Sequence, residues 1–395
     1  MNTIFSDRIA DVPRSFIREI LKVSLDRSVI SFAGGLPNRD LFPAEEIKRA
    51  TAKVFEIYGN DIFQYSNSEG DLRLRQYIAR RYREKKNLVV DPENILITNG
   101  AQQGLDLIGK TLLNEGEGVI IEEPGYLGAI QAFSIFRPKF LPVTVSEDGV
   151  DLAELKGIVS LETAKLMYTV PNFQNPSGIT YTEHNRREIA DILAGTNTFL
   201  IEDDPYGELR FSGTPKTPFA ALMPERTLLL GSFSKIVVPG FRVGWIVAPA
   251  PVFNKLLVAK QASDLHTCHF TQYIIHQYLL DNDIDAHIAR IVAAYGGQCR
   301  RMLSCIDTYF PAEVTSTRPE GGMFLWGRLP GGMTSLDLFN LAVKEKVIFV
   351  PGDPFYTTGV KSPAFRLNFS CVDEATIETG IERLGKAIKL LGKEG

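Results

Sequence analysis

The stretch Thr227-Leu228-Leu229-Leu230-Gly231-Ser232-Phe233-Ser234-Lys235, continued by Ile236-Val237-Val238-Pro239-Gly240-Phe241-Arg242-Val243-Gly244-Trp245, decides how the rest of the chain is read. The first five residues form a short apolar run, the pattern of a buried strand. Such a strand delivers Ser232, Ser234 and Lys235 to its exposed end. Pro239 and Gly240 then punctuate a loop that carries Arg242 and returns into a second apolar strand. Two hydroxyls, one amine and one guanidinium therefore converge on a small space.

A lysine held at the end of a buried strand loses its proton more easily than a solvated one, and the free amine can condense with an aldehyde. Two hydroxyls and a guanidinium beside it suit a phosphate monoester. Together they describe a socket for pyridoxal phosphate with Lys235 as the covalent anchor. For these four residues alone, a surface lysine after a strand with a structural arginine nearby is an equal reading. The remaining chain has to decide between them.

Working outward, Asn94-Ile95-Leu96-Ile97-Thr98 reads as a strand that runs through Asn99-Gly100-Ala101-Gln102-Gln103-Gly104 into an amphipathic helix, Leu105 to Leu113. A strand, a small-residue turn and a helix N-terminus form an anion site, because the first-turn amides are unpaired and the helix dipole favours negative charge. The phosphate is expected on the amides of Ala101 and Gln102. Gly104 to Thr111 also satisfies the P-loop pattern, but its variable positions are mostly large apolar residues at helical spacing, so nucleotide binding is not expected there.

From Val119 the chain alternates strand and helix, the mark of an α/β fold with a mostly parallel sheet. Val119 to Glu122 ends in Pro124-Gly125-Tyr126, Leu166 to Thr169 ends in a loop containing Asn175-Pro176-Ser177-Gly178, and Phe199 to Glu202 ends in Asp203-Asp204-Pro205-Tyr206. Ligands of such sheets bind beyond the carboxyl ends of the strands. Tyr126, Asn175, Asp203, Tyr206 and Lys235 should therefore face one crevice. An aspartate at the pyridine nitrogen, hydrogen bonds from Asn175 and Tyr206 to the ring oxygen, and Tyr126 on the ring face would suit the same cofactor. Each residue alone has a plainer reading: Tyr126 as a core aromatic, Asn175 as a turn residue, Asp203 or Asp204 as a helix cap.

Earlier in the chain, Pro13 to Lys22 reads as a short helix, Val29 to Phe32 as a strand, and Ala33-Gly34-Gly35-Leu36-Pro37 as a break where backbone can approach a ligand. A long helical pattern extends from Thr271 towards Ser304. Glu320 to Trp326, Val347 to Gly352 and Ala364 to Ser370 read as strands of a further α/β unit. On the last of these Arg366 and Asn368 share a face, so Arg366 either binds a carboxylate in the crevice or faces solvent on an edge strand. His266-Thr267-Cys268-His269 has no second cluster to complete a metal site, and no metal is expected.

The 395 residues allow two domains, and the apolar fraction of 44% with 23% charged residues is that of a globular protein. A net charge of −4 with both signs interspersed argues against nucleic acid or an anionic membrane as partner. Four cysteines without framework spacing, and no signal-peptide or membrane-length apolar run, point to a cytoplasmic location.

With these residues in hand the chain resembles the class I pyridoxal-phosphate aminotransferases of fold type I. The marks are Phe-Ala-Gly-Gly-Leu-Pro at 32–37, Gln-Tyr at 64–65, Gly-Ala-Gln at 100–102, Asn-Pro-Ser-Gly at 175–178, Asp-Asp-Pro-Tyr at 203–206, Ser-Phe-Ser-Lys at 232–235 and Phe-Arg-Leu-Asn-Phe-Ser at 365–370. Within the class it looks most like the 2-aminoadipate and kynurenine aminotransferase branch. The resemblance implies a large domain (residues 42–285) with a mostly parallel seven-stranded sheet sandwiched by helices. It also implies a smaller C-terminal α/β domain (286–395) and an N-terminal segment (1–41) that packs with it.

It further implies that Lys235 anchors the cofactor and shuttles the proton, with Asp203 on the pyridine nitrogen, Tyr206 and Asn175 on the ring hydroxyl, and Tyr126 stacked. Ala101, Gln102, Ser232, Ser234 and Arg242 would hold the phosphate, together with Tyr65 of a second subunit, which makes a homodimer with shared sites. Arg366, Asn175 and the Gly35 backbone would hold the substrate α-carboxylate, and Arg18 a distal one. Family members usually carry Ser at the place of Ala101, so one hydroxyl contact is missing here. The implied reaction moves the α-amino group of 2-aminoadipate, glutamate or an aromatic amino acid to a 2-oxo acid such as 2-oxoglutarate, in ping-pong order. A β-eliminating lyase or a broad-specificity aromatic or branched-chain aminotransferase would use the same fold. A regulator with an aminotransferase-like domain would need a basic DNA-binding domain ahead of residue 15.

Overall fold

The structure, a computed structural model, describes residues 4–10, 12, 26, 28–161 and 163–394. The helix expected from Pro13 to Lys22, and Arg18 with it, lies outside those residues. In chain order the strands are β1 (Ile30–Ser31), β2 (Ile95–Thr98), β3 (Gly118–Glu123), β4 (Lys139–Ser146), β5 (Gly149–Val150), β6 (Ala164–Thr169), β7 (Phe199–Asp203), β8 (Thr227–Ser232) and β9 (Gly244–Val247). They continue as β10 (Thr315–Ser316), β11 (Phe324–Arg328), β12 (Val347–Ile348), β13 (Val350–Pro351) and β14 (Ala364–Asn368).

The large sheet runs β2-β9-β8-β7-β6-β3-β4-β5. From β8 to β4 neighbours pair in parallel, while β9 lies antiparallel between β2 and β8. These make up the expected seven strands. An eighth, the two-residue β5, hairpins back on β4 at the edge, with Val145 opposite Val150. Every residue of β2 and β8 is buried, as expected of strands covered by helices on both faces. The carboxyl ends of β2, β3, β6, β7 and β8 therefore open on one edge of the sheet.

The second sheet, β10-β11-β14-β13, is antiparallel. β14 is an interior strand of it, so Arg366 does not sit on an edge. The segment after β1 is tied to this unit: Phe32 N donates to Ile348 O at 2.8 Å, and Asn368 N donates to Phe32 O at 2.8 Å. Those bonds carry Ala33 to Pro37 across towards the end of the large sheet.

The long helical pattern expected from Thr271 is two helices, His269–Asp281 and Ile284–Tyr309. The break falls at Asn282-Asp283, where the Asp283 carboxylate caps the amides of Asp285 and Ala286 and starts a new helix. The P-loop-like stretch Gly104–Thr111 lies inside the helix Ala101–Leu112, and its glycines serve packing. A Cβ at Gly104 would come within 2.8 Å of Leu230, and one at Gly109 within 2.5 Å of Phe136. Among the described residues no helix is long and apolar enough to cross a membrane.

Candidate active site

The strand ends enclose a cleft of about 430 Å³. Lys235, Asp203, Tyr206, Asn175, Tyr126 and Arg366 line it, as do Ala101, Gln102, Ser232, Ser234, Arg242 and Gly35. Of the residues expected in a site, Tyr65 lies elsewhere on the surface of the same chain, 79% exposed, and Arg18 lies outside the described residues.

Lys235 follows β8 and donates from Nζ to Gly35 O at 2.9 Å. Burial brings its ammonium down to about 8, helped by the cations Arg366 and Arg242 and opposed by Cys371. A buried lysine loses the hydration of its charged form, so the neutral amine becomes accessible near neutral pH.

Asp203 closes β7. Its Oδ2 accepts from the Tyr168 hydroxyl at 2.8 Å, and its Oδ1 is buried without a hydrogen-bond partner among the described residues. Burial raises the carboxyl to about 7, with the Tyr168 bond opposing and Asp204 and Glu122 reinforcing the rise. The neighbouring Asp204 points the other way, as alternation along an extended chain requires. It is ion-paired with Lys86 and accepts from Asn172 Nδ2 at 2.8 Å. Asp203 is thus the carboxylate with an unused oxygen at the cleft, and Asp204 is fully engaged behind it.

Asn175 reaches the cleft from the loop after β6. Its Oδ1 accepts from Arg366 Nη1 at 2.8 Å, and its Nδ2 donates to the Tyr206 hydroxyl at 3.5 Å. Arg366 is 1% exposed, donates from Nη2 to Ala33 O at 2.7 Å, and lies over the Phe324 ring at 4.4 Å. Its Nε has no partner among the described residues. Burial lowers this guanidinium to about 10. No carboxylate among the described residues pairs with it in the cleft, so it is a cation that lacks its anion. Burial raises the Tyr206 phenol, and raises the Tyr126 phenol to about 12, so both are neutral donors at physiological pH.

At the other end of the cleft, Gly100 caps the helix Ala101–Leu112 with φ 74°, a conformation that favours glycine. A Cβ there would meet Arg242 Nη2 at 2.5 Å. Ser232 Oγ donates to Ser234 Oγ at 2.9 Å and accepts from Ser234 N at 3.0 Å. Two hydroxyls, a guanidinium and the free amides of a twelve-residue helix meet here, a set that suits a phosphate dianion.

Two buried residues missing from the sequence expectations support the cleft. Tyr168, on β6, supplies the hydrogen bond to Asp203. Glu122, on β3, accepts from Thr169 Oγ1 at 2.9 Å, Val170 N at 2.8 Å, Gln174 Nε2 at 2.9 Å and the Tyr181 hydroxyl at 2.6 Å. It ties the end of β3, which leads to Tyr126, to the loop that carries Asn175. Its signal was the Glu122-Glu123 pair closing an apolar strand, of which the structure buries the first. His266 and His269 find partners at Thr267 O (3.0 Å) and Ser66 Oγ (3.2 Å).

This α/β fold, its main sheet covered on both faces and carrying an amine, an orphaned buried carboxylate oxygen and a phosphate cup on one edge, has the build of a fold type I cofactor enzyme. The chain belongs to the family of class I and II aminotransferases, which matches it over residues 27–384. It is 39% identical over 392 residues to the aromatic-amino-acid aminotransferase 1 of Thermococcus litoralis, covering 98% of this chain and 94% of that protein. It is also 39% identical to the 2-aminoadipate transaminase of Thermus thermophilus, covering 96% and 94%.

Among solved structures, the multiple substrate aminotransferase of Thermococcus profundus superposes with a TM-score of 0.94 at 36% identity, covering 99% of this chain and 98% of that one. The α-aminoadipate aminotransferase of Thermus thermophilus, complexed with N-(5′-phosphopyridoxyl)-L-leucine, gives 0.92 at 38% identity, covering 99% and 98%. The protein is a pyridoxal-phosphate-dependent aminotransferase acting on an amino acid and a 2-oxo acid.

Proposed function

We propose that this aminotransferase moves the α-amino group of 2-aminoadipate, glutamate or an aromatic amino acid to 2-oxoglutarate or a similar 2-oxo acid. The two relatives at 39% identity are named for aromatic amino acids and for 2-aminoadipate, which supports those donors. The observation that carries the residue assignment is the unpartnered Oδ1 of Asp203 in the same cleft as the low-pKa amine of Lys235.

In this reading Asp203 would hold the pyridine nitrogen, Tyr206 and Asn175 the ring hydroxyl, and Tyr126 the ring face. The amides of Ala101 and Gln102, the hydroxyls of Ser232 and Ser234, and Arg242 hold the phosphate. Ala101 contributes its amide alone. When bound, pyridoxal phosphate supplies an aldehyde that takes up the amino group and a protonated ring that withdraws the electrons left at Cα. Arg366 and Asn175, with the backbone at Gly35, would fix the α-carboxylate and so orient Cα for proton transfer. The Lys235 amine would hold the proton taken from the substrate Cα as general base and then deliver it as general acid. Its lowered pKa keeps a useful fraction of the amine unprotonated for the first step.

A homodimer with shared sites belongs to the same proposal. Tyr65, 79% exposed, has its ring edge-on to His266 at 5.9 Å, and the exposed Phe55 and Phe63 pair at 6.1 Å, with Phe55 edge-on to Phe270 at 5.4 Å. Apolar surface of this kind is covered in the working protein, and a second copy would bring Tyr65 to its phosphate cup. Arg18 would read a distal carboxylate.

The test is spectroscopic. The reconstituted enzyme is mixed with each donor of a panel, and the visible absorbance of the aldehyde form should convert to that of the amine form, reversed by 2-oxoglutarate. Release of pyruvate and ammonia from a sulfur amino acid with no 2-oxo acid present would overturn the assignment in favour of elimination.

A further inference from the structure

Behind the turn Asn99-Gly100-Ala101 lies a charged residue that the reaction does not use. Lys260, on the helix Ala250–Asp264, is 0% exposed. Its Nζ donates to both oxygens of Asp264 at 2.7 and 2.8 Å, to Gln103 Oε1 at 2.9 Å and to Thr267 Oγ1 at 3.0 Å. Each partner is in turn fastened to the turn or to the strand that feeds it. Asp264 Oδ2 accepts from Asn99 Nδ2 at 2.5 Å and from Gln103 Nε2 at 2.7 Å. Gln103 Oε1 also accepts from Asn99 N at 2.8 Å, and Thr267 Oγ1 donates to Ile97 O at 3.2 Å. Arg242, which lines the cleft, holds the same residue through Asn99 O at 3.4 Å.

Burying an ammonium is costly unless a paired carboxylate and further acceptors satisfy it. Here all the acceptors belong to one small network, and that network fixes the residue just before the helix cap. A backbone cradle binds an anion well only if its amides are held in place before the anion arrives.

We propose that Lys260, acting through Asp264 and Gln103, is a positioning residue for the phosphate end of the cofactor site. It sets the direction of the Ala101 and Gln102 amides without touching the cofactor. The inference rests on the proposed placement of the phosphate at that turn.

The experiment measures equilibrium binding of pyridoxal phosphate and of pyridoxal, which lacks the phosphate, to the cofactor-free protein. Both ligands carry the aldehyde and the ring, so their ratio isolates the phosphate. Lys260→Met should weaken pyridoxal phosphate by about ten- to a hundredfold, the range of one lost hydrogen bond to a charged group, and leave pyridoxal unchanged. Asn99→Ala keeps the Lys260–Asp264 pair intact, removes the side-chain bond from the turn to Asp264 while the bond from Asn99 N to Gln103 stays, and should shift the same ratio in the same direction by a smaller factor. It carries the test if Lys260→Met does not fold. Ser234→Ala serves as the control for the phosphate placement itself. Equal loss for both ligands, or no loss, in the Lys260 and Asn99 variants while Ser234→Ala discriminates would overturn the role of Lys260 alone. If Ser234→Ala also fails to discriminate, the phosphate placement falls and the proposal with it.

Discussion

The hydroxyl of Tyr168 donates to Oδ2 of Asp203 at 2.8 Å and leaves Oδ1 buried without a partner among the described residues. This bond favours the ionised carboxylate, while burial, the larger effect, raises the group to about 7. A carboxyl whose folded pKa is raised contributes stability below its unfolded pKa, near 4, and that contribution is lost as pH rises through 7. The cofactor-free protein should therefore lose melting temperature relative to Asp203→Asn between about pH 4 and 7 and then run parallel to it. Tyr168→Phe removes the opposing bond, so the loss should continue above pH 7. Parallel melting curves for wild type and Asp203→Asn across the whole range would contradict this account of Asp203.

Arg366 is buried, stacked on Phe324 and bonded to Asn175 Oδ1 and Ala33 O. A lysine there keeps the charge but loses the planar fork that grips a carboxylate at two points. Arg366→Lys should lower kcat/KM by about a hundredfold, ~2.7 kcal/mol, for every amino acid and 2-oxo acid alike. Cofactor absorbance should be unchanged. Half-reaction kinetics across donors would show it, and a loss confined to one class of side chain would place Arg366 away from the α-carboxylate.

Arg18 is assigned to the distal carboxylate on sequence grounds. Arg18→Ala should raise KM for 2-aminoadipate and 2-oxoglutarate by about tenfold or more, with far less change for phenylalanine. Equal changes for both classes in steady-state assays would remove it from that role.

Tyr65 gives a test of shared sites. Variants Tyr65→Ala and Lys235→Ala should each be weakly active or inactive alone. A mixture, unfolded and refolded together, contains hybrid dimers in which one site has both native residues, so activity should return to about a quarter of wild type, with half of the dimers hybrid and one complete site in each. Additive residual rates in the mixture would show that each site is built from one chain.

Much of this was legible because the chemistry sits at strand ends. Apolar runs such as Leu166–Thr169 and Thr227–Gly231 mark buried parallel strands, and the polar residues that follow them must lie on one edge of the sheet. Other features needed the third dimension. Strand β4, Lys139–Ser146, carries Pro142 and several exposed positions, so it lacks a clean strand pattern. Alternation shows that Asp203 and Asp204 face opposite ways, but only the pairing of Asp204 with Lys86, 118 positions away, says which one faces the cleft. Tyr168 and Glu122 lie inside apolar strands, where their surroundings suggest core residues. The break at Asn282-Asp283 was present in the sequence as a cap signal inside a helical pattern.

The amine of Lys235, which meets Gly35 O in the cleft, is proposed to carry the cofactor. Reconstituted enzyme treated with borohydride, digested and mapped by mass spectrometry should carry the phosphopyridoxyl group on the peptide that contains Lys235. Lys235→Ala should carry none and should lose transamination by about a thousandfold or more. A label on another lysine, or undiminished labelling and turnover in Lys235→Ala, would contradict the account.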